Sequence, residues 1–389
     1  MSRSFHCLLT AFAAMTAANA VACTSWIIHP SVSASGRMLV HKCRDNRPDR
    51  LDANIRVTRH GVRWMQIGAD RAPLFAVNEH GVATVMNDGD PMTLVHSETD
   101  KTLRNVRLKG SCSSLALQVM DECATAEPAA ELAIHYGRNS IKAAHGNSIL
   151  VADAKRAFFI DYGPGYTEVQ ELTQGFCMIT NCMHLPGIET YSLRTVGALR
   201  SDRAREANVR ASLQQRRVNG KYTIQGVIET SRLRCRKEID KKYPCRRGSI
   251  SAVCFEIDPE FPAQLTTAYI ALGPQQHTIF LPTPMALTQF PEDIRNSRWS
   301  DLAYRLRDRV GFDHQYLPRF TEFEKQAMNE YDRVREEARA LLKSKKKDEA
   351  EKLLNDFFQK QFAAAWKLLT EIDAESAANP PENKIEAFS

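Results

Sequence analysis

Short apolar runs broken by polar turn residues fill the chain from Thr24 to about Glu171, the pattern of a region built from β-strands. "TSWIIHP" and "GRMLVHK" flank the polar turn "SVSASG", "APLFAV" and "VATVMN" flank "NEHG", and "SILVAD" and "AFFIDY" flank "AKR". Each pair predicts a hairpin. Between the second and third pairs, Ser113 to Tyr136 carries apolar residues at helical spacing with a break near Glu127-Pro128, which predicts two helices. A second sheet region follows in "GFCMITN" and, after a basic helical stretch, in "SISAVCFEID", "LTTAYIALG" and "HTIFLP". Sheet, helices and sheet again predict a layered α+β fold, satisfied by two stacked antiparallel sheets with helices outside.

The C-terminal part changes character. No Gly or Pro interrupts Thr321 to Ile372, and Leu354, Phe358, Phe362, Trp366 and Leu369 recur every three or four residues. This predicts a helical hairpin turning near "KSKKKDEA", its aromatic stripe packed either on the domain or on a second subunit in a homo-oligomer. At the other end, Arg3 and the apolar "CLLTAFAAMTAANAVA" finish in Ala20-Val21-Ala22, the small-x-small pattern that signal peptidase cuts after. The expected division is a signal peptide at 1–22, a main domain at 23–318, a helical extension at 319–374 and a disordered tail at 375–389. The expected location is outside the cytoplasm, periplasmic or extracellular. No later stretch approaches 18 consecutive apolar residues, so no integral membrane span is expected.

Composition changes this picture little. With 43% hydrophobic and 25% charged residues the chain can bury a proper core. The net charge of +6 is local, much of its excess lying between Arg194 and Arg247, and acids are scattered through the same stretch. A solvated face is therefore expected there and no nucleic-acid partner. Of ten cysteines, Cys7 falls in the leader and Cys23 at the new terminus. The other eight, an even set in an oxidising compartment, predict disulfides, first of all Cys177–Cys182 and Cys235–Cys245. Their spacings match no zinc pattern, and no metal or cofactor is expected.

Cys23 carries the candidate chemistry. A free thiol with a pKa of about 8.5 is only slightly ionised at pH 7 and needs a base, whereas an N-terminal α-amine with a pKa of about 7.7 to 8.0 sits on the same residue. A chain end beginning with cysteine can thus supply both nucleophile and base, provided the chain is cut immediately before it. Pairing the first hairpin about its centre puts Lys42 opposite Cys23, within one or two positions, and Asp45 just beyond. A cation there lowers a thiol pKa, and a carboxylate holds a protonated amine. The plain alternative is two ordinary residues at a strand end. His80 in "NEHG" reads as a surface turn residue.

"CTSWII", "GRMLVHKCRDN", "VNEHGVATVMND" and "CMITNCMHLPG", in this order, resemble the N-terminal-nucleophile amidohydrolases of the choloylglycine hydrolase and penicillin acyltransferase-like group. The resemblance runs from Cys23 to about Pro282, with "ISAVCFEID" and "YIALGP" similar to later strands of that group. It implies a four-layer αββα sandwich and cleavage, or transfer, of linear non-peptide amides of a small N-acyl substrate through a thioester on Cys23. It further implies that Cys23 is the nucleophile with its own amine as base and that Asp45 orients that amine. Lys42 stands where choloylglycine hydrolases have arginine, keeping the charge and losing the bidentate fork. Asn87 matches an asparagine beside the oxyanion site, Asn181 the asparagine whose side-chain N–H stabilises the oxyanion, and Arg203 a later arginine among several neighbouring ones. Without the resemblance, Asn87 and Asn181 read as strand-end residues making local turn bonds.

Two other readings stay open at this point. Cysteine dipeptidases of the same superfamily also start Cys-Thr and would take a short peptide. In a reading of another class, "NAVAC" is a lipoprotein signal and Cys23 is acylated, which consumes both groups that catalysis requires.

Overall fold

Thr24–Ile28 (β1) and Met38–Asp45 (β2) form the first predicted hairpin, and every residue of both strands is buried. A strand buried on both faces needs a layer on each side of its sheet. The computed structural model, which describes residues 23–45, 51–68, 75–91, 112–139, 145–163, 166–187, 195–234, 242–246, 248–311 and 315–379, supplies both layers. With β1 and β2, the strands β10 (Phe176–Ile179), β11 (Ser249–Ile257), β12 (Thr267–Leu272) and β13 (Leu281–Pro284) make a six-stranded antiparallel sheet ordered β10-β1-β2-β11-β12-β13. The second sheet has seven antiparallel strands in chain order: β3 (Asp52–Val57), β4 (Arg63–Gly68), β5 (Phe75–Asn78), β6 (Ala83–Pro91), β7 (His145–Ala152), β8 (Ala157–Gly163) and β9 (Tyr166–Glu171).

Alternation along the strands sorts the side chains into layers. Ile27, Met38 and Val40 of the first sheet pack against Met65, Ile67, Phe75 and Val77 of the second, forming the core between the sheets. Trp26, Leu39 and Cys43 turn the other way, onto Val209 and Leu213 of α3 (Val196–Gln215) and Val227 and Ile228 of α4 (Ile224–Ser231). On the far face of the second sheet, Trp64, Met86, Ile149 and Ile160 meet α1 (Cys112–Glu122) and α2 (Ala126–Asn139). The result is the expected αββα sandwich. The helix break falls at 123–125 rather than at Glu127-Pro128, because Pro128 sits in the first turn of α2, where its missing N–H has no helical partner to lose.

Short helices α5 (Pro262–Leu265) and α6 (Glu292–Arg295) and the longer α7 (Arg298–Val310) lead into the predicted hairpin, α8 (Leu317–Lys343) and α9 (Lys347–Ala378). Its aromatic stripe is spent inside the chain: Phe358 packs edge-on to Phe290, and Phe362 and Trp366 lie over Trp299. Burying side chains of this size contributes roughly 1.5 to 3 kcal/mol each. The boundary expected at residue 375 falls inside α9, which continues to Ala378. The expected Cys177–Cys182 bridge is not formed, and both are free thiols: Cys177 points from β10 into the sheet interior while the Cys182 sulfur lies against Thr180 and His184. Cys245 is also free, while Cys235, the leader 1–22 and the tail beyond 379 lie outside the described residues. Among the described residues, no helix is long and apolar enough to cross a membrane.

The hairpin is tied to the sandwich by a buried ion pair. Arg232, at the end of α4, donates from Nη1 and Nη2 to Glu324 Oε2 and Oε1 of α8, both at 2.6 Å, and Glu324 also accepts the Phe280 N–H at 2.6 Å. Truncating one partner leaves the other charge buried. Glu324→Ala is therefore expected to cost about 3 to 5 kcal/mol in chemical denaturation, and the paired Arg232→Met/Glu324→Leu variant distinctly less.

Candidate active site

The inter-sheet core changes from apolar to polar at one end of β1 and β2. Ile27 lies opposite Val40, and the next same-face pair is Ser25 opposite Lys42. Continuing the alternation, Cys23 and Arg44 share that face. The pairing is shifted two positions from the expected Cys23–Lys42 match, because the β1–β2 connection is not a free turn: Val32 and Ala34 are bonded to Tyr222. Lys42 therefore sits diagonally across from Cys23. Cys23 itself is 1% exposed.

Fully buried Lys42 reaches across to the second sheet, where Nζ donates to the Met86 carbonyl and, at 2.7 Å, to Asn87 Oδ1. The same Oδ1 accepts from Ser25 Oγ at 2.8 Å. Asn87 Nδ2 in turn donates to the carbonyls of Ile179 at 3.2 Å and Thr180 at 3.1 Å, at the end of β10. One amide thus joins β6 to three strands of the facing sheet and fixes the backbone immediately before Asn181.

Asn181 is buried, and its Oδ1 lies 3.5 Å from Arg205 Nη2. Arg205 also pairs with Asp202 at 2.5 Å. Burial lowers the pKa of this guanidinium, opposed by Asp202, while Asp45 and Cys23 are close enough to act on it as well. Arg203, the arginine expected here, is 55% exposed on its side chain and pairs with Glu206 at 3.2 Å. Two residues along a helix turn by roughly 200°, so Arg203 and Arg205 face opposite ways. Asp45 is held by Arg246 Nε at 2.7 Å and Ser249 Oγ at 2.6 Å, both overlooked in the sequence. Arg246 is one of several cations in "CRKEIDKKYPCRR", where nothing local distinguishes it.

Arg44 was legible, since it lies two residues from Lys42 in a strand and so on the same face. It is buried, and neither its Nε nor its Nη1 has a hydrogen-bond partner among the described residues. Its guanidinium runs over Gly68 at the end of β4, where an added Cβ would come within 3.0 Å of Nη1 and where φ is +106°. Glycine leaves room for this cation and suits that backbone. The remaining chemistry is quiet. Burial pushes the thiols of Cys177 and Cys245 up to about 12 and raises those of Cys43 and Cys254 well above the ordinary thiol range, which marks them as structural. His80 is exposed in its turn, as expected. Among the described residues, Cys182, His184 and Glu206 form a group able to hold a metal.

No protein-family model matches the chain, and no curated protein matches it. Solved structures do. The Caenorhabditis elegans ortholog of N-acylethanolamine-hydrolyzing acid amidase is similar at 13% identity, covering 61% of this chain and 95% of that one, with a TM-score of 0.42. A cysteine-to-alanine mutant of conjugated bile acid hydrolase from Clostridium perfringens is similar at 9% identity, over 63% and 88%, with a TM-score of 0.41. An arginine-to-leucine variant of the same hydrolase gives 10%, 68%, 92% and 0.42.

The bridging role of Asn87 has a measurable consequence. Asn87→Ala leaves Lys42 short of one acceptor and two buried carbonyls without their donor, each loss worth about 1 to 3 kcal/mol. The variant is expected to lower the midpoint of chemical denaturation well beyond an Ala substitution at exposed Arg203.

Proposed function

We propose that the chain is an exported N-terminal-cysteine amidohydrolase that cleaves a linear carbon–nitrogen amide bond through a thioester on Cys23. The observation that carries this reading is the polar cluster itself. Three cations, Lys42, Arg44 and Arg205, are buried with Asn87 and Asn181 around the end of β1 where Cys23 lies. A cluster of buried charge is costly to maintain unless it has chemistry to perform. The lipoprotein alternative would consume both the thiol and the amine that this reading requires.

In the full chain the Cys23 nitrogen is bonded to Ala22, so its amine becomes a base only after the cut between them. The freed amine takes the Sγ proton, and the thiolate attacks the substrate carbonyl carbon. The resulting oxyanion receives a side-chain N–H from Asn181, a contact of a kind worth about 3 to 4 kcal/mol. The ammonium, oriented by Asp45, then protonates the leaving nitrogen as the C–N bond breaks. Water, deprotonated by the same amine, attacks the thioester, and the acid leaves with the thiol restored; an incoming amine in place of water gives acyl transfer. Lys42 and Asn87 hold the strands in register around these atoms, and Arg205 fixes Asn181 from behind.

Arg44 supports a substrate carrying an anion. A guanidinium with unpartnered N–H groups in a buried site is matched by a carboxylate, which favours N-acyl amino acids over neutral amides.

Two measurements test the reading. Intact mass and N-terminal analysis of the exported protein should give an unmodified Cys23 start. Cys23→Ser should lose at least about 1000-fold in turnover of N-acyl amino acids, penicillin V or conjugated bile salts, as loss of a member of a catalytic unit does. Another start, an acylated Cys23, or full activity in the variant would remove the mechanism. Arg44→Met should raise KM for a carboxylated N-acyl amino acid by about 10- to 100-fold, the equivalent of one charged hydrogen bond at about 1.5 to 3 kcal/mol, while sparing its neutral amide.

A further inference from the structure

A second convergence of reactive side chains lies directly behind Asn181. Cys182 and His184, two residues apart in the irregular chain after β10, both meet Glu206 from α3. The Cys182 sulfur is 3.7 Å from His184 Nε2 and 3.8 Å from Glu206 Oε1, and Nε2 and Oε1 are 2.6 Å apart. Thr180 Oγ1 closes the group, 3.4 Å from the sulfur and 2.9 Å from Glu206 Oε1. The other carboxylate oxygen of Glu206 is held by Arg203 at 3.2 Å. Cys182 and Glu206 are buried and His184 nearly so.

We propose that Cys182, His184 and Glu206 bind a divalent ion of zinc type. The donor set of one thiolate sulfur, one imidazole nitrogen and one carboxylate oxygen suits a borderline-soft cation and is poorly suited to calcium or magnesium. Zinc–ligand distances of about 2.3 Å to sulfur and about 2.0 to 2.2 Å to nitrogen and oxygen, at tetrahedral angles, put sulfur about 3.5 Å from each of the other two donors and those about 3.3 Å from each other. Two of the three edges are within a few tenths of an ångström of this already. The third is closed by a hydrogen bond, and it opens when the ion takes the place of the shared proton. Binding releases that proton and the thiol proton, leaving two anionic ligands and one neutral one around a doubly charged ion. The fourth position faces Thr180 and takes its hydroxyl or a water. Arg203 orients the carboxylate from outside, the part that second partners commonly play around metal ligands.

The site eludes spacing rules because its third ligand comes from a helix more than twenty residues away rather than from a C-x2-C pair. Its place gives it a role. Cys182 follows Asn181 and Glu206 follows Arg205, so an ion here would clamp the segment carrying the one to the helix carrying the other.

The test uses the purified full chain stripped of metal with a chelator and titrated with Co2+. One equivalent should bind with the strong visible bands of a tetrahedral cobalt centre and a near-ultraviolet thiolate charge-transfer band, both removed by an equivalent of Zn2+. Cys182→Ser should abolish the thiolate band, Glu206→Gln should weaken binding by about 100-fold or more, beyond the 10- to 100-fold typical of losing an outer partner, and Cys177→Ser should change nothing. Zn2+ should raise the melting temperature of the wild type and not that of Glu206→Gln, a near-isosteric change that keeps the decision open to measurement should Cys182→Ser fail to fold. Absence of stoichiometric binding, weak octahedral-type bands, or a thiolate band that survives Cys182→Ser overturns the proposal. None of these readouts depends on the chain being an amidohydrolase.

Discussion

An ammonium group buried between two β-sheets is the constraint around which the site is arranged. Lys42 has no exposed surface, and the interior of a sheet sandwich offers it no water. It has to be met by acceptors from the opposite sheet, and the Met86 carbonyl and the Asn87 side chain provide them. Because Asn87 has only one oxygen and spends it on Lys42 and Ser25, its nitrogen is free to take the last carbonyls of β10. The satisfaction of one charge therefore sets the separation of the sheets at this end and the position of the chain entering Asn181. The apolar layer below, from Ile27 and Val40 onward, has no such directional demand and is filled by volume alone.

Much of this could be read from the residues and some could not. The three hairpins were legible because turn residues separate short apolar runs, and the doubly buried β2 shows why its apolar pattern is continuous up to His41 rather than alternating. Lys42, Asn87 and Asn181 stand together around the end of β1, and Asp45, held by Arg246, lies close enough to Arg205 to act on its charge. Arg203 points away from Asn181, and the sequence could not show this for a physical reason. The buried face of α3 is Asp202, Arg205, Glu206, Val209, Ser212 and Leu213, mostly polar, so hydrophobic periodicity cannot tell which arginine turns inward. The disulfide expectation failed differently, because an even cysteine count says nothing about which sulfurs share space. Cys177 packs against the inter-sheet core while Cys43 and Cys254 share the cluster on the other face of the first sheet, and these and Cys245 are free thiols.

The C-terminal hairpin looked separable in sequence and is structural in fact. Its stripe fills the open side of the sandwich, and Arg232–Glu324, Arg335–Glu256 and Arg339–Asp258 cross the junction as buried or half-buried ion pairs. Such pairs contribute little net stability over apolar packing, but they penalise any arrangement in which a partner is left alone. They select one docking of α8 and α9 on the first sheet, and through Arg232 they hold the end of α4, where the Leu233 carbonyl accepts from the Cys245 N–H next to Arg246.

The enclosure of Cys23 also imposes an order in time. Under the proposed mechanism the bond before it must be cut, and a separate protease would reach a residue buried between two sheets only before the sandwich closes. Cleavage by such a protease would have to happen while the chain is still unfolded. A molecule that completes its sandwich first would be locked with its base tied up as an amide, stable and inert. Folding rate, ordinarily a question of yield, would then set the fraction of molecules that ever become enzymes.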